Sequence, residues 1–109
     1  MTQQEMAAVM ETVYEECRAL RAAGQKEYAH ELDNAFRNFE AIGRELGLPR
    51  EKILWVYAKK HIDGIVAYIN GHRSQRENVR GRINDLIVYM CLLRGMCDEA
   101  ERSAASPTD

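Results

Sequence analysis

Apolar residues recur at helical spacing in four segments of the chain, and no alternating strand pattern competes with them. Because a helix returns to the same side every three or four residues, each segment presents one apolar face to a core. The four sets are Met6, Met10, Val13, Cys17 and Leu20; Leu32, Ala35, Phe36, Phe39, Ile42, Gly43 and Leu46; Ile53, Leu54, Val56, Tyr57, Ile62, Ile65, Val66 and Ile69; and Val79, Ile83, Leu86, Met90, Leu93 and Cys97. The pattern predicts an all-α domain with a four-helix bundle-like fold.

Start and stop signals bound these segments. Capping boxes, Thr2-x-x-Glu5 and Ser74-x-x-Glu77, precede the first and last helices, and Pro49 suits the first turn of the third. The stop signals are Gly24, Gly47 and the pair Asn70-Gly71. Only about four residues separate the third helix from the fourth, which predicts an antiparallel hairpin. We expect residues 1–101 to form a single helical domain and residues 102–109 a disordered polar tail.

The fourth helix is apolar on nearly every side between Leu86 and Gly95. A domain of this size covers one face of such a helix and its flanks. The remaining face, around Val88 and Leu92, is therefore expected to meet another subunit. The sequence thus predicts a homo-oligomer, a dimer or higher, assembled through the fourth helix.

Composition excludes several classes of protein. The 109 residues include 15 basic and 17 acidic side chains, a net charge of −2, which gives no overall field to attract DNA or an anionic membrane. Apolar stretches are short and no signal sequence opens the chain, so the expected location is the cytoplasm. The three cysteines lack CxxC spacing and occupy apolar helical positions, which favours core residues over disulfides or a zinc site.

A carboxylate, Asp85, interrupts the apolar fourth helix and shares one side of it with Asn78, Arg82 and Tyr89. One interpretation is an Arg82–Asp85 ion pair that sets the register of the helices. The other is that Asp85 faces a polar pocket, where it binds a divalent cation or accepts a hydrogen bond from a ligand.

The third helix carries a second polar group in the segment KKHIDG, residues 59–64. Lys60, Asp63 and Gly64 lie one turn apart, and His61 borders the apolar face. His61 is interpreted either as a hydrogen-bonded core residue or as a ligand-contacting side chain. Because a glycine inside a helix costs about 1 kcal/mol relative to alanine, Gly64 indicates the close approach of another backbone or of a ligand.

Two further sets of side chains are candidates for ligand contact. Asn34 and Asn38 border the apolar face of the second helix, where amides often meet a ligand or a partner helix. Arg76 and Arg82 belong to a basic group at the start of the fourth helix; they are suited to phosphate if they are not simply solvated. No phosphate-binding glycine loop, GxSxG, HExxH or paired cysteine nucleophile occurs in the sequence.

The segments KEYA (26–29), DNAFRNFE (33–40), LGLPREKILWVYAKKHIDGI (46–65) and VRGRINDLIVYMCLL (79–93) resemble small phage and prophage proteins. These look like distant relatives of the nucleotide-modification-associated and MazG-like helical families. The similarity spans roughly residues 26–95. Its best part, RINDLIVYMCLL, is similar to the ExxD-plus-apolar helix of the all-α nucleotide pyrophosphohydrolases.

The resemblance implies acidic residues on facing helices that hold Mg²⁺ against the phosphates of a nucleotide, which an activated water hydrolyses. By position, Asp85 matches the final aspartate of that motif, and Glu27 or Glu31 supplies the earlier ligands. Arg82, however, occupies the place of the glutamate. A cation at that place repels magnesium and is suited to contact phosphate directly.

Two hypotheses follow for function. In the first, a phage-type protein binds a nucleotide or a derivative in the seam between helices two, three and four, with or without turnover. If it is an enzyme, it is a metal-dependent pyrophosphohydrolase. In the second, the protein is a non-enzymatic phage factor of the anti-defence type that inhibits or recruits a host protein. The first hypothesis assigns metal or sugar contacts to Asp85, Asp63 and Glu27, hydrogen bonds to His61 and Tyr89, and phosphate contacts to Lys60, Arg76 and Arg82.

Overall fold

The computed structural model describes residues 1–28, 34–73 and 76–105, with the side chains of 25–28 left out. These residues form four α-helices and no strand. The helices are α1 (Gln3–Tyr28), α2 (Arg37–Leu46), α3 (Arg50–Ile69) and α4 (Val79–Ala105). The predicted all-α fold is confirmed.

Local interactions explain where the helices begin. The first capping box is confirmed, because the Thr2 backbone N–H donates to Glu5 (2.8 Å) and the Glu5 N–H donates to the Thr2 hydroxyl (3.0 Å). At α4 the cap is Asn78, whose side-chain oxygen accepts from the Arg80 N–H at 2.8 Å. Ser74 of the second box lies outside the described residues.

Three boundaries differ from those expected. The first helix continues past Gly24 to Tyr28, because one glycine weakens a helix without ending it. The second begins only at Arg37, since the Asn34 side chain accepts from the Phe36 N–H at 3.0 Å and holds the preceding residues in a turn. The fourth continues to Ala105, so 102–105 are helical; the rest of the expected tail, 106–109, lies outside the described residues.

Packing centres on the α3–α4 hairpin. The two helices are antiparallel, as predicted, and share the most extensive contact, while α2 packs on α3 and α1 on α4. A small core forms around Phe36, Leu54 and Met96. Of the α4 side chains only Met96 is fully buried, so one chain leaves most of this helix partly exposed. No described helix combines the length and the apolar character that crossing a membrane demands.

The first helix extends beyond the body of the domain. Residues 1–12 are all exposed, and the first position of α1 that is partly covered is Val13. Near the middle of α1, Glu16 accepts a 2.8 Å hydrogen bond from the Asn84 side chain of α4. The domain is accordingly elongated, with extents of 54 × 32 × 25 Å.

Candidate ligand-binding cleft

A cleft of about 540 Å³, here termed the central cleft, lies where α1, α2 and α4 meet, with one side chain contributed by α3. Most of its lining is apolar, and a few polar groups converge on it, which is the usual character of a small-molecule site. The lining residues are Leu20, Arg21, Gly24, Ala35, Arg37, Asn38, Phe39, Ala41, Ile42, Tyr57, Asp85, Val88, Tyr89 and Leu92.

Three aromatic rings from three different helices form one wall of the central cleft. Phe39 meets Tyr57 edge-on, with ring centroids 6.0 Å apart, and meets Tyr89 in the same way at 6.4 Å. Burial, reinforced by the Asp85 carboxylate and by Tyr57, raises the pKa of Tyr89 above its ordinary value. The Tyr89 hydroxyl therefore stays protonated and is able to donate a hydrogen bond at neutral pH.

Asp85 connects this cleft to a buried histidine. The His61 Nε2 atom lies 3.5 Å from the Asp85 carboxylate, and the His61 ring lies 5.9 Å from that of Tyr89. Only 3% of His61 is exposed. Burial lowers the pKa of His61, Lys60 and Arg82 lower it further, and Asp85 and Glu77 oppose the shift. His61 is therefore a neutral imidazole at pH 7.

A second carboxylate, Glu77, lies in the turn before α4 and faces the opposite nitrogen of the His61 ring from Asp85. Its oxygens lie 3.8 Å from His61 Nδ1, 3.7 Å from Lys60 Nζ and 3.5 Å from Arg82 Nη1. Arg82 also donates to the Lys60 carbonyl at 3.1 Å. We call His61, Glu77, Arg82 and Asp85 the His61 cluster. Within it Arg82 pairs with Glu77, in place of the Arg82–Asp85 ion pair that was one interpretation of the sequence.

The position of the Arg82 side chain explains why a glycine occurs at position 64, inside α3. A Cβ atom on Gly64 would overlap Arg82 Nε, closer than any allowed contact. The glycine thus makes room for a side chain of α4, rather than for a backbone or a ligand. Once there, Arg82 Nε is buried without a hydrogen-bond partner in the described part of the molecule, as is His61 Nδ1.

His61, Glu77 and Asp85 offer ligand atoms that all lie within 4.8 Å of one another. One imidazole with two carboxylates suits a transition metal better than Mg²⁺, which prefers oxygen ligands. Lys60 and Arg82 already lie beside Glu77, so a further cation would meet repulsion there. Counted with Lys60, the cluster has two positive and two negative side chains around a neutral His61, and it fits Mg²⁺ poorly.

The candidate residues fall into distinct places. Asn38, Asp85 and Tyr89 line the central cleft, while Lys60, His61 and Arg82 meet in or beside the His61 cluster. Asp63 is exposed and pairs with Lys59 on its own helix. Arg76 is exposed in the bend before α4, outside the cleft lining. The Glu27 side chain, and Glu31 as a whole, lie outside the described residues.

Asn34 belongs to a different network. Its side chain donates to Glu40 at 2.7 Å, and Glu40 in turn accepts from Arg50 at 2.8 Å. The Asn34 hydrogen bond, followed by Arg50, holds the pKa of Glu40 below its ordinary value. Arg50 also reaches Glu99 at 2.8 Å. Asn34 thus ties the start of α2 to α3 and α4, and it does not line the cleft.

Several site residues were not anticipated from the sequence. Glu77 was assigned to a helix cap; because it lies in the bend before α4 and not in the helix, helical spacing gave no signal that it lies near Asp85. Phe39 and Tyr57 were interpreted only as core positions. Arg21 and Arg37 carried no distinguishing signal, since single arginines on amphipathic helices are common.

Comparison with known proteins adds no relative: no family model matches the chain, and neither a curated protein nor a solved structure matches it significantly.

Proposed function

We propose that the central cleft binds a nucleotide or a nucleotide derivative. The observation that carries this proposal is the presence, in one cleft, of three aromatic rings, a carboxylate and two arginines. A volume of about 540 Å³ lies within the usual range for ligands of that size.

Each part of a nucleotide has a suitable partner in the cleft. A base packs against the rings of Phe39 and Tyr57, because every base offers an aromatic face. Asp85 and Asn38 accept or donate hydrogen bonds to the base edge or the sugar hydroxyls. Arg21 and Arg37 are among the residues that line the same cleft, and the guanidinium group of arginine matches phosphate oxygens in charge and geometry.

Binding without turnover fits these residues better than hydrolysis. Metal-assisted hydrolysis requires carboxylates able to hold the cation beside an activated water. Here Glu77 faces Lys60 and Arg82, and Asp85 faces His61. Any Mg²⁺ would therefore arrive bound to the phosphates of the ligand. The proposal places the protein in the cytoplasm, that of the host if it is encoded by a phage, where nucleotides are present.

Thermal-shift measurements with a panel of nucleotides, with and without Mg²⁺, test the proposal. At about a hundred times Kd a ligand adds about 2.7 kcal/mol of stability, which raises Tm by several degrees. Asp85→Asn is expected to reduce the shift, whereas Asp63→Asn, outside the cleft, leaves it unchanged. Failure of every nucleotide to raise Tm contradicts the proposal, and release of pyrophosphate by the wild type contradicts binding without turnover.

The alternative, binding to a host protein, is favoured by two neighbouring apolar side chains on α3. Trp55 is 50% exposed and Val56 66% exposed, and tryptophan is enriched at the energetic centres of interfaces. This function predicts that Trp55→Ala abolishes capture of a defined host protein. Under the nucleotide proposal the same variant retains its thermal shift.

A further inference from the structure

A second depression lies along the α1–α4 contact and shares Arg21, Ala35, Val88 and Leu92 with the central cleft. This outer groove has a volume of about 600 Å³ and a mostly apolar lining. It crosses the face of α4 on which Val88 and Leu92 lie, the face expected from the sequence to meet another subunit. The lining residues are Tyr14, Cys17, Arg18, Arg21, Ala22, Ala35, Phe36, Ile87, Val88, Cys91, Leu92 and Gly95.

The segment of α1 from Gln3 to Thr12, here termed the overhang, is helical but fully exposed, and it does not pack against the core of the described domain. Met6 and Met10 are 42% and 44% exposed. On a helical wheel they share one side of α1 with Val13 and Cys17, which are partly buried, and Cys17 contacts the Asn84 carbonyl of α4. The apolar face of α1 therefore continues past the end of its partner helix.

The overhang and the outer groove match in length. Glu16 meets Asn84, and Gly24, further along α1, shares a cleft with Leu92, so α1 and α4 run in the same direction. Gln3 lies thirteen residues before Glu16, but Val79 only five before Asn84. Eight residues of the overhang thus project beyond the start of α4, roughly 12 Å, and the groove lining from Tyr14 to Ala22 covers nine residues of α1, a similar length.

Their charges are complementary as well. The overhang carries two carboxylates, Glu5 and Glu11, and no basic residue. The residues that line the outer groove include two arginines, Arg18 and Arg21, and no acidic residue. An overhang laid along the groove of another copy would place opposite charges side by side.

We propose that a second copy of this chain occupies the outer groove. Two copies related by a two-fold axis lay their α1 helices antiparallel, and each overhang covers the groove of the other with Met6 and Met10. The same overhang–groove contact then forms twice, once on each side of the two-fold axis, which leaves no groove open and closes the dimer. The dimer does not require the proposed nucleotide function, because Met6 and Met10 lie outside the central cleft; Arg21 is the charged side chain that lines both cavities.

Light scattering after size-exclusion chromatography tests the dimer. The wild type is expected at twice the 12.5 kDa mass of one chain. The double variant Met6→Glu, Met10→Glu places charges on the overhang and is expected to weaken dimerisation roughly a hundredfold or more, since burial of each methionine is lost. Val56→Glu, an exposed apolar position on α3, is the matched control and leaves the dimer intact. Circular dichroism confirms that each variant is folded.

A charge exchange separates this arrangement from other dimers. Arg18→Glu is expected to weaken dimerisation, and adding Glu11→Arg in the same chain is expected to restore it, because the two charges then meet with their signs reversed. A monomeric wild type overturns the proposal. A dimer that is insensitive to the methionine substitutions, or a double charge variant weaker than Arg18→Glu alone, overturns the assigned surface.

Discussion

His61 is a buried imidazole held between two carboxylates and two cations. Because burial outweighs the favourable carboxylates, its pKa in the folded protein lies below the ordinary histidine value of about 6.5. As pH falls through about 6.5 the unfolded chain therefore takes up this proton first, and the folded state loses stability. The loss ends once pH falls below the folded-state pKa.

We expect the wild type to lose stability on going from about pH 7.5 to about pH 5.5, at up to about 1.4 kcal/mol per pH unit for this one proton. His61→Gln should flatten that part of the profile, as measured by urea unfolding at each pH. Val56→Gln, at an exposed position of the same helix that carries no titratable group, serves as the control and should keep the wild-type slope. Equal slopes for His61→Gln and the wild type would show that His61 titrates as it does in the unfolded chain.

Gly64 and Gly81 offer a matched pair of glycines with opposite expectations. Gly64→Ala forces the end of the Arg82 side chain away from Glu77 and from the Lys60 carbonyl, and losing these charge-assisted contacts costs about 1.5–3 kcal/mol, more than the gain in helix propensity. Gly81→Ala meets no atom within 4 Å and should stabilise α4 by about 0.5–1 kcal/mol. Chemical denaturation measures both. Removing the obstruction with Arg82→Ala should abolish the penalty at Gly64, and an additive double variant would contradict the contact.

At the scale of the elements, the start of α4 depends on one side chain. Asn78 accepts the Arg80 N–H and thereby holds the turn from which Glu77 reaches the His61 cluster. Asn78→Ala should cost about 1 kcal/mol in the free energy of unfolding. Ser103→Ala, at an exposed position inside the same helix, is the control and should cost little. A negligible effect of Asn78→Ala would assign the cap to another residue.

The hairpin was the most predictable element, because strong signals bound its helices at Pro49, at Asn70-Gly71 and before Val79. The ends of α1 and α2 were less predictable. Gly24 resembles a stop signal but is tolerated inside a long helix, and the Asn34 side chain replaces helical hydrogen bonds with a turn. In both places the helix propensity of a single residue competes with side-chain and tertiary contacts. The outcome depends on those contacts, which cannot be read from the neighbouring residues in the sequence.

The site was predictable residue by residue but not as an assembly. Asp85 and His61 were singled out separately, since each is polar on an apolar face. Their contact depends on how far α3 and α4 are shifted along each other, and the sequence pattern does not determine this shift to better than one helical turn. Arg21 joins the central cleft from α1, outside the segment that carries the family resemblance, so neither periodicity nor resemblance pointed to it.

For the whole molecule, the proposed dimer would make stability depend on assembly, because the core is small and the overhang is exposed. A protein that gains buried surface on dimerisation unfolds at a temperature that rises with chain concentration. We expect the Tm of the wild type to increase over a dilution series, as measured by scanning calorimetry. The Tm of the Met6→Glu, Met10→Glu variant should be lower and independent of concentration. A constant wild-type Tm would indicate that the monomer alone accounts for the stability.

Arg21 borders both the central cleft and the outer groove. A ligand phosphate on one side and a partner's carboxylate on the other would compete for, or jointly orient, the same guanidinium group. Binding and assembly would then be thermodynamically linked: whatever factor dimerisation applies to ligand affinity, the ligand applies to the dimer equilibrium. One arginine would thus be enough to let the concentration of a small molecule regulate how many chains are paired.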